Sequence, residues 1–81
     1  MAYFAYILRC SDGTFYSGYT TDPERREKVH NEGKGAKYTR SRRPVRIVYC
    51  ESFEQRSDAM KREAALKKLS HEEKERLTKE R

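Results

Sequence analysis

The run Tyr3-Phe4-Ala5-Tyr6-Ile7-Leu8-Arg9-Cys10 constrains the fold most, because it is apolar or aromatic at both parities. In an extended chain Tyr3, Ala5 and Ile7 point to one side, and Phe4, Tyr6, Leu8 and Cys10 to the other. A strand that is hydrophobic on both faces needs cover on both, so this run predicts a central strand with other elements packed above and below it. The 81 residues suffice for one domain over residues 1–81 and leave no room for a second core. Neither a disulfide framework nor a metal cage stands in for a core, so six Tyr and three Phe are expected to supply much of the burial.

Ser11, Asp12 and Gly13 give a turn, and Thr14 to Tyr19 is a second extended run, so the first two elements read as a hairpin. Asp22 can cap the free amides of a helix that Pro23 opens and Gly33 stops. Residues 34–44 are basic and end in Pro44, which reads as a loop with one helical turn. Val45 to Cys50 is β-branched and aromatic, a third strand. Ser52 is placed to cap a helix from Phe53 to Leu69, with Ala59, Leu66 and Leu69 on one face. Ser70 and Glu73 form a capping-box pattern that starts a short polar helix at His71. The order β-β-α-β-α-α predicts an α/β (α+β) fold, a three-stranded antiparallel sheet flanked by helices.

Charge narrows the partners. The chain carries 19 Lys plus Arg against 13 Asp plus Glu, a formal +6, yet Arg25 to Arg46 alone holds nine basic residues and two Glu, a net +7. A basic stretch interrupted by Tyr38, Thr39 and Ser41 suits contact with phosphates better than general solvation. No apolar segment is long enough to span a membrane. Tyr3 to Leu8 lacks the basic flank of a secretion signal, and Cys10 and Cys50 lack metal-ligand spacing, so a cytoplasmic protein with reduced cysteines is expected.

Several residues could carry chemistry. With a three-residue turn at Ser11 to Gly13, Leu8 faces Tyr16 and Tyr6 faces Gly18, which puts Tyr6 and Tyr16 on one sheet face, close enough to bracket a small group. Gly18 opposite Tyr6 leaves a notch for a ligand or another backbone. The plainer reading is that both tyrosines pack a core. Arg26 and His30 lie four residues apart and share a helix face with Val29. They are ordinary surface residues or, in a helix with little else apolar to turn inward, site residues. Glu63 falls between Ala59 and Leu66 in an apolar stripe, so its carboxylate needs either a cation such as Lys67 or a hard metal ion. Nucleophilic triads and P-loops find no match.

Taken together, Tyr6, the Tyr16-Ser17-Gly18 triplet, Asp22, Arg26, His30 and Glu63 resemble the GIY-YIG nuclease domain, in its small single-domain bacterial subgroup. The stretches Tyr6 to Cys10, Gly33 to Arg40 and Arg42 to Val45 also resemble that subgroup, so the likeness covers nearly the whole chain. Phe4 and Ala5 stand where the first motif has Gly and Ile, Ser17 where the second has Ile, and Pro23 where Leu is usual. None of these departures removes a catalytic side chain of the family.

The resemblance implies a metal-dependent endonuclease that hydrolyses phosphodiester bonds of nucleic acid. DNA is expected ahead of RNA, with branched or repair intermediates among the candidates. It implies Tyr6, Tyr16, Arg26, His30 and Glu63 as catalytic residues opening into one cleft. Glu63 would hold a single Mg²⁺ or Mn²⁺, and no small-molecule cofactor is expected. Tyr6 would activate water, Arg26 would stabilise charge, and Tyr16 and His30 would position water or phosphate. Lys37, Tyr38, Arg40, Arg42 and Arg43 would bind the nucleic-acid backbone. The alternatives are a catalytically weak nucleic-acid-binding module and a protein-interaction domain. A monomer or weak dimer, without membrane contact, is expected.

Overall fold

The two-faced run forms strand β1 (Tyr3–Arg9), in the middle of an antiparallel sheet of order β2-β1-β3, where β2 is Phe15–Thr20 and β3 is Arg46–Phe53. The computed structural model describes residues 1–79, so the last two residues of the expected 1–81 domain lie outside the described residues. Four helices accompany the sheet: α1 (Pro23–Asn31), a single turn α2 (Lys37–Arg40), α3 (Arg56–Lys67) and α4 (His71–Lys79). Ala5 and Ile7 face α3 in a core with Phe15, Tyr49 and Leu66, onto which Leu69 and Leu77 pack. Tyr6, Leu8 and Cys10 form a second core on the opposite face with Val45, Tyr16 and Ile47. Both faces of β1 are thus covered, as its composition requires.

The hairpin turn is a three-residue loop closed by Cys10 N–H donating to Thr14 O at 2.8 Å, with Gly13 at φ +84°. Asp12 fixes it by accepting from Thr14 N–H and Oγ1–H at 3.1 and 2.6 Å. The resulting register pairs Leu8 with Tyr16 and Tyr6 with Gly18. α1 begins with Asp22 accepting from Arg25 N–H and Pro23 in its first turn. It ends at Gly33, φ +80°, where Gly33 N–H reaches His30 O and Lys34 N–H reaches Val29 O, the paired bonds of a Schellman stop. The capping box is formed: Ser70 N–H donates to Glu73 Oε1 and Glu73 N–H to Ser70 Oγ.

The boundary between β3 and α3 differs most from the sequence expectation. β3 continues to Phe53, and α3 starts at Arg56 behind Gln55, so Ser52 is not a helix cap. The reason is non-local. Ser52 and Phe53 pair with Phe4 and Tyr3, and Phe53 packs on the α3-side core, so the length of β1 sets the length of its neighbour. Neither cysteine is in a disulfide. Among the described residues no helix is long and apolar enough to cross a membrane.

Ser17 is a weak point. It is 3% exposed, and its hydroxyl has no hydrogen-bond partner among the described residues. An unsatisfied buried hydroxyl costs about 1–3 kcal/mol, so Ser17→Ala is expected to raise the melting temperature by about 4 °C or more, given about 4–8 °C per kcal/mol in a domain of this size. A calorimetric scan of the variant checks this, and a lower melting temperature would refute it.

Candidate active site

α1 is too polar to dock through aliphatic side chains, and it docks through hydrogen bonds instead. Glu27 Oε2 accepts from Ile47 N–H at 2.7 Å. Asn31 clasps Val45 from both sides, Nδ2 donating to its carbonyl at 2.8 Å and Oδ1 accepting from its N–H at 2.7 Å. These bonds lash α1 to β3 and to Val45 just before it, with Arg26 and His30 turned toward β1. The i,i+4 spacing of Glu27 and Asn31 was present in the sequence, but both are usual surface residues and nothing local marked them.

His30 is fully buried. Its Nε2 lies 3.3 Å from the Tyr6 hydroxyl and its Nδ1 2.8 Å from Thr39 Oγ1. Tyr6 and Tyr16 bracket the imidazole, with ring centroids 6.4 and 5.4 Å away and both edge-on. The small group that the two tyrosines enclose is therefore a side chain of the chain itself. Gly18 is likewise filled from within, since a Cβ there would come within 2.5 Å of the Tyr6 hydroxyl. The expected open notch is the seat of the phenol. A Cβ on Gly35 would collide with the imidazole in the same way. Both glycines are needed because a ring lies against their backbone.

Burial raises the Tyr6 pKa above its ordinary 10; the Arg26 guanidinium opposes this, and the charges of Tyr16 and Glu63 add to it. Burial lowers the His30 pKa, and the Arg26 charge lowers it further. At neutral pH the pair is a protonated phenol beside a neutral imidazole.

Glu63 does not share that face. It stands on α3, which packs on the Ala5–Ile7 side of the sheet, whereas Tyr6 belongs to the core on the opposite face. The phenol crosses over Gly18 of the edge strand β2, α3 packs against β2 from the other side, and the Glu63 charge still acts on Tyr6. Glu63 also has the plainer partner foreseen for it, Lys67 at 3.5 Å, whose side chain is 56% exposed while that of Glu63 is 21% exposed. Among the described residues no three His, Cys, Asp or Glu cluster as a metal cage. A single hard carboxylate with some solvent access does suit Mg²⁺ or Mn²⁺, which is often held by one or two carboxylates with water and substrate phosphate completing the shell. A loosely held lysine is easily displaced.

The five expected backbone-binding residues divide. Lys37, Tyr38, Arg40 and Arg43 are exposed, whereas Arg42 is half-buried. Arg42 is committed to Asp12 at 3.1 Å and Tyr38 O at 2.7 Å, and its guanidinium lies 4.0 Å over the Tyr38 ring. Tyr38 in turn stacks on Tyr16, with ring centroids 5.9 Å apart. Arg43 donates to Arg40 O at 2.7 Å and Asn31 O at 3.4 Å, against Gly33. A cavity of about 200 Å³, lined in part by Thr20, Asp22, Arg25 and Arg26, adjoins the Arg26 end of the site. A larger cavity, about 450 Å³, lies elsewhere, between Asn31, Arg40, Arg43 and Pro44. The smaller one matters more for chemistry because it touches a charged group that acts on Tyr6.

The GIY-YIG catalytic domain matches residues 2–76 of the chain. The chain belongs to the GIY-YIG family. Its family is one of nucleases, which are hydrolases and generally use divalent metals. This GIY-YIG chain is 55% identical over 80 residues to a UPF0213 protein of Enterococcus faecalis, covering 96% of the chain and 91% of that relative. It is 56% identical over 72 residues to one of Halobacterium salinarum, covering 89% and 94%. The solution NMR structure of a UPF0213 protein from Bacillus halodurans aligns with TM-score 0.60 at 49% identity, over 98% of this chain and 84% of that one. That of an E. faecalis protein aligns with TM-score 0.63 at 54% identity and the same coverage.

Proposed function

We propose that the chain is a metal-dependent endonuclease that hydrolyses phosphodiester bonds of nucleic acid, with DNA, including branched and repair intermediates, as the first substrate. The Tyr6–His30 pair carries this reading. A tyrosine with a raised pKa is a poor base by itself. Beside a neutral imidazole it can take a proton from the attacking water while passing its own to His30 Nε2, so no phenolate has to form. Arg26, close enough to act on both groups, supplies positive charge for the phosphate. Tyr16, held between His30 and Tyr38, walls the site. Glu63 would hold the Mg²⁺ or Mn²⁺ ion, whose contribution when bound is Lewis acidity toward the phosphate and shelter for the leaving oxygen.

The backbone lies, in this reading, along the α1–α2 layer, where Arg25, Lys28, Lys34, Lys37 and Arg40 are exposed. Tyr38 offers its hydroxyl there, and Arg42 and Arg43 add charge while their hydrogen bonds shape the loop. Outside Arg25–Arg46 the charges nearly cancel, since that stretch carries +7 of a chain total of +6. The test is an assay of labelled linear, branched and single-stranded DNA and RNA with Mg²⁺, Mn²⁺ or chelator. Divalent-dependent cleavage is expected; binding without any cleavage would turn the chain into a binding module instead.

Affinity is expected to fall steeply with salt. If about five side chains each neutralise a phosphate of duplex DNA, log affinity against log salt has a slope of roughly −4 to −5. A flat profile in a binding titration would contradict the phosphate-contact surface and favour a protein-interaction role.

A further inference from the structure

The proton-accepting role of His30 depends on which ring nitrogen is bare, and the surroundings of Nδ1 decide that. Thr39 is fully buried on the one-turn helix α2. Its Oγ1 lies 2.8 Å from His30 Nδ1 and 3.0 Å from the Ala36 carbonyl, to which it can donate. Ala36 N–H lies 3.4 Å from the same Nδ1. Two assignments compete. With the proton on Nδ1, the imidazole donates to Thr39, Thr39 donates to Ala36 O, and Nε2 is left bare for the Tyr6 hydroxyl. With the proton on Nε2, Nδ1 accepts from Thr39 and from Ala36 N–H, and the Thr39–Ala36 O bond is lost. The first keeps bonds of 2.8 and 3.0 Å, the second keeps 2.8 and 3.4 Å, and the last distance is at the edge of a useful N–H bond.

We propose that Thr39 is a positioning residue that holds the His30 proton on Nδ1, so that Nε2 faces Tyr6 as a proton acceptor. The chain Tyr6 O–H to His30 Nε2, His30 Nδ1–H to Thr39 Oγ1, and Thr39 O–H to Ala36 O then runs in one direction. The role in turnover rests on the nuclease reading, whereas the tautomer does not. Orientation of a working histidine by a group on its other nitrogen is a general requirement of such sites.

The deciding experiment records imidazole nitrogen spectra of ¹⁵N-labelled protein above pH 7, with His71→Gln used to separate the two histidines. His30 is expected to be protonated on Nδ1 in the wild type and in Thr39→Ser, which keeps the hydroxyl. In Thr39→Val the remaining Ala36 N–H needs the Nδ1 lone pair, so the proton is expected to move to Nε2. Metal-dependent cleavage is expected to fall about 10–100-fold in the Val variant and to persist in the Ser variant, on the scale found when a ligand histidine loses its orienting partner. A wild-type His30 protonated on Nε2 overturns the proposal, and this holds even where the Val variant fails to fold. Full cleavage by a Val variant whose tautomer has moved also overturns the role in turnover. A wild type that cleaves nothing refutes the nuclease reading alone, with the spectra still deciding the tautomer.

Discussion

Glu63→Gln is expected to lower metal-dependent cleavage at least about a hundredfold, the scale of removing one group that stabilises developing charge, while the protein stays folded and still binds nucleic acid. The fold tolerates the change because the partner left behind is Lys67, whose half-exposed ammonium returns to water instead of being stranded. Binding without metal is expected to persist or tighten, because a negative charge leaves a phosphate-binding region. Melting temperature, binding and cleavage measured on one sample check all three parts. Full activity would remove Glu63 from the mechanism. A large drop in melting temperature would mean that its carboxylate serves the fold.

Tyr6→Phe is expected to reduce cleavage by about 10²–10⁴-fold, the range for losing a positioned proton-transfer group. Tyr6 is 1% exposed and the packing of its ring is kept, so the cost to stability is about 1 kcal/mol, that of leaving His30 Nε2 without its donor. A pH signature accompanies it. The His30 pKa lies below its ordinary 6.5 in the folded chain, chiefly through burial, so the fold favours the neutral imidazole. Its contribution to stability is therefore complete above about pH 6.5 and is lost as pH falls through the folded pKa. Cleavage by the wild type is expected to fade over that same acidic window, because protonated His30 cannot accept from Tyr6. Melting temperatures and rates between pH 8 and 5 test this; a cleavage rate that stays level below the folded His30 pKa would dismiss His30 as the acceptor.

Much of the architecture could be read locally. Alternation in Tyr3 to Cys10, the Ser11-Asp12-Gly13 turn, Asp22 with Pro23, Gly33 and the Ser70–Glu73 pair each act within a few residues, and each formed as its chemistry requires. The β3–α3 boundary did not follow, because Ser52 can serve equally as a cap or a strand residue, and pairing with Phe4 chooses the strand. The basic loop shows the same limit. Nothing local distinguishes Lys37, which stays exposed, from Arg42, which is drawn into Asp12 and Tyr38 from the hairpin and the turn before it.

By itself the sequence determined the central strand, the hairpin register that sets Tyr6 opposite Gly18, the helix face shared by Arg26 and His30, and the family resemblance. Those depend on short-range sterics, capping and side-chain period. Only the tertiary structure decided that His30 lies between two tyrosines, that Thr39 occupies its other nitrogen, and that Glu63 stands on the opposite layer of the sheet. Such contacts join residues far apart in the chain, and a single-chain pattern holds no distance between a strand, a one-turn helix and a helix on the far side of the sheet.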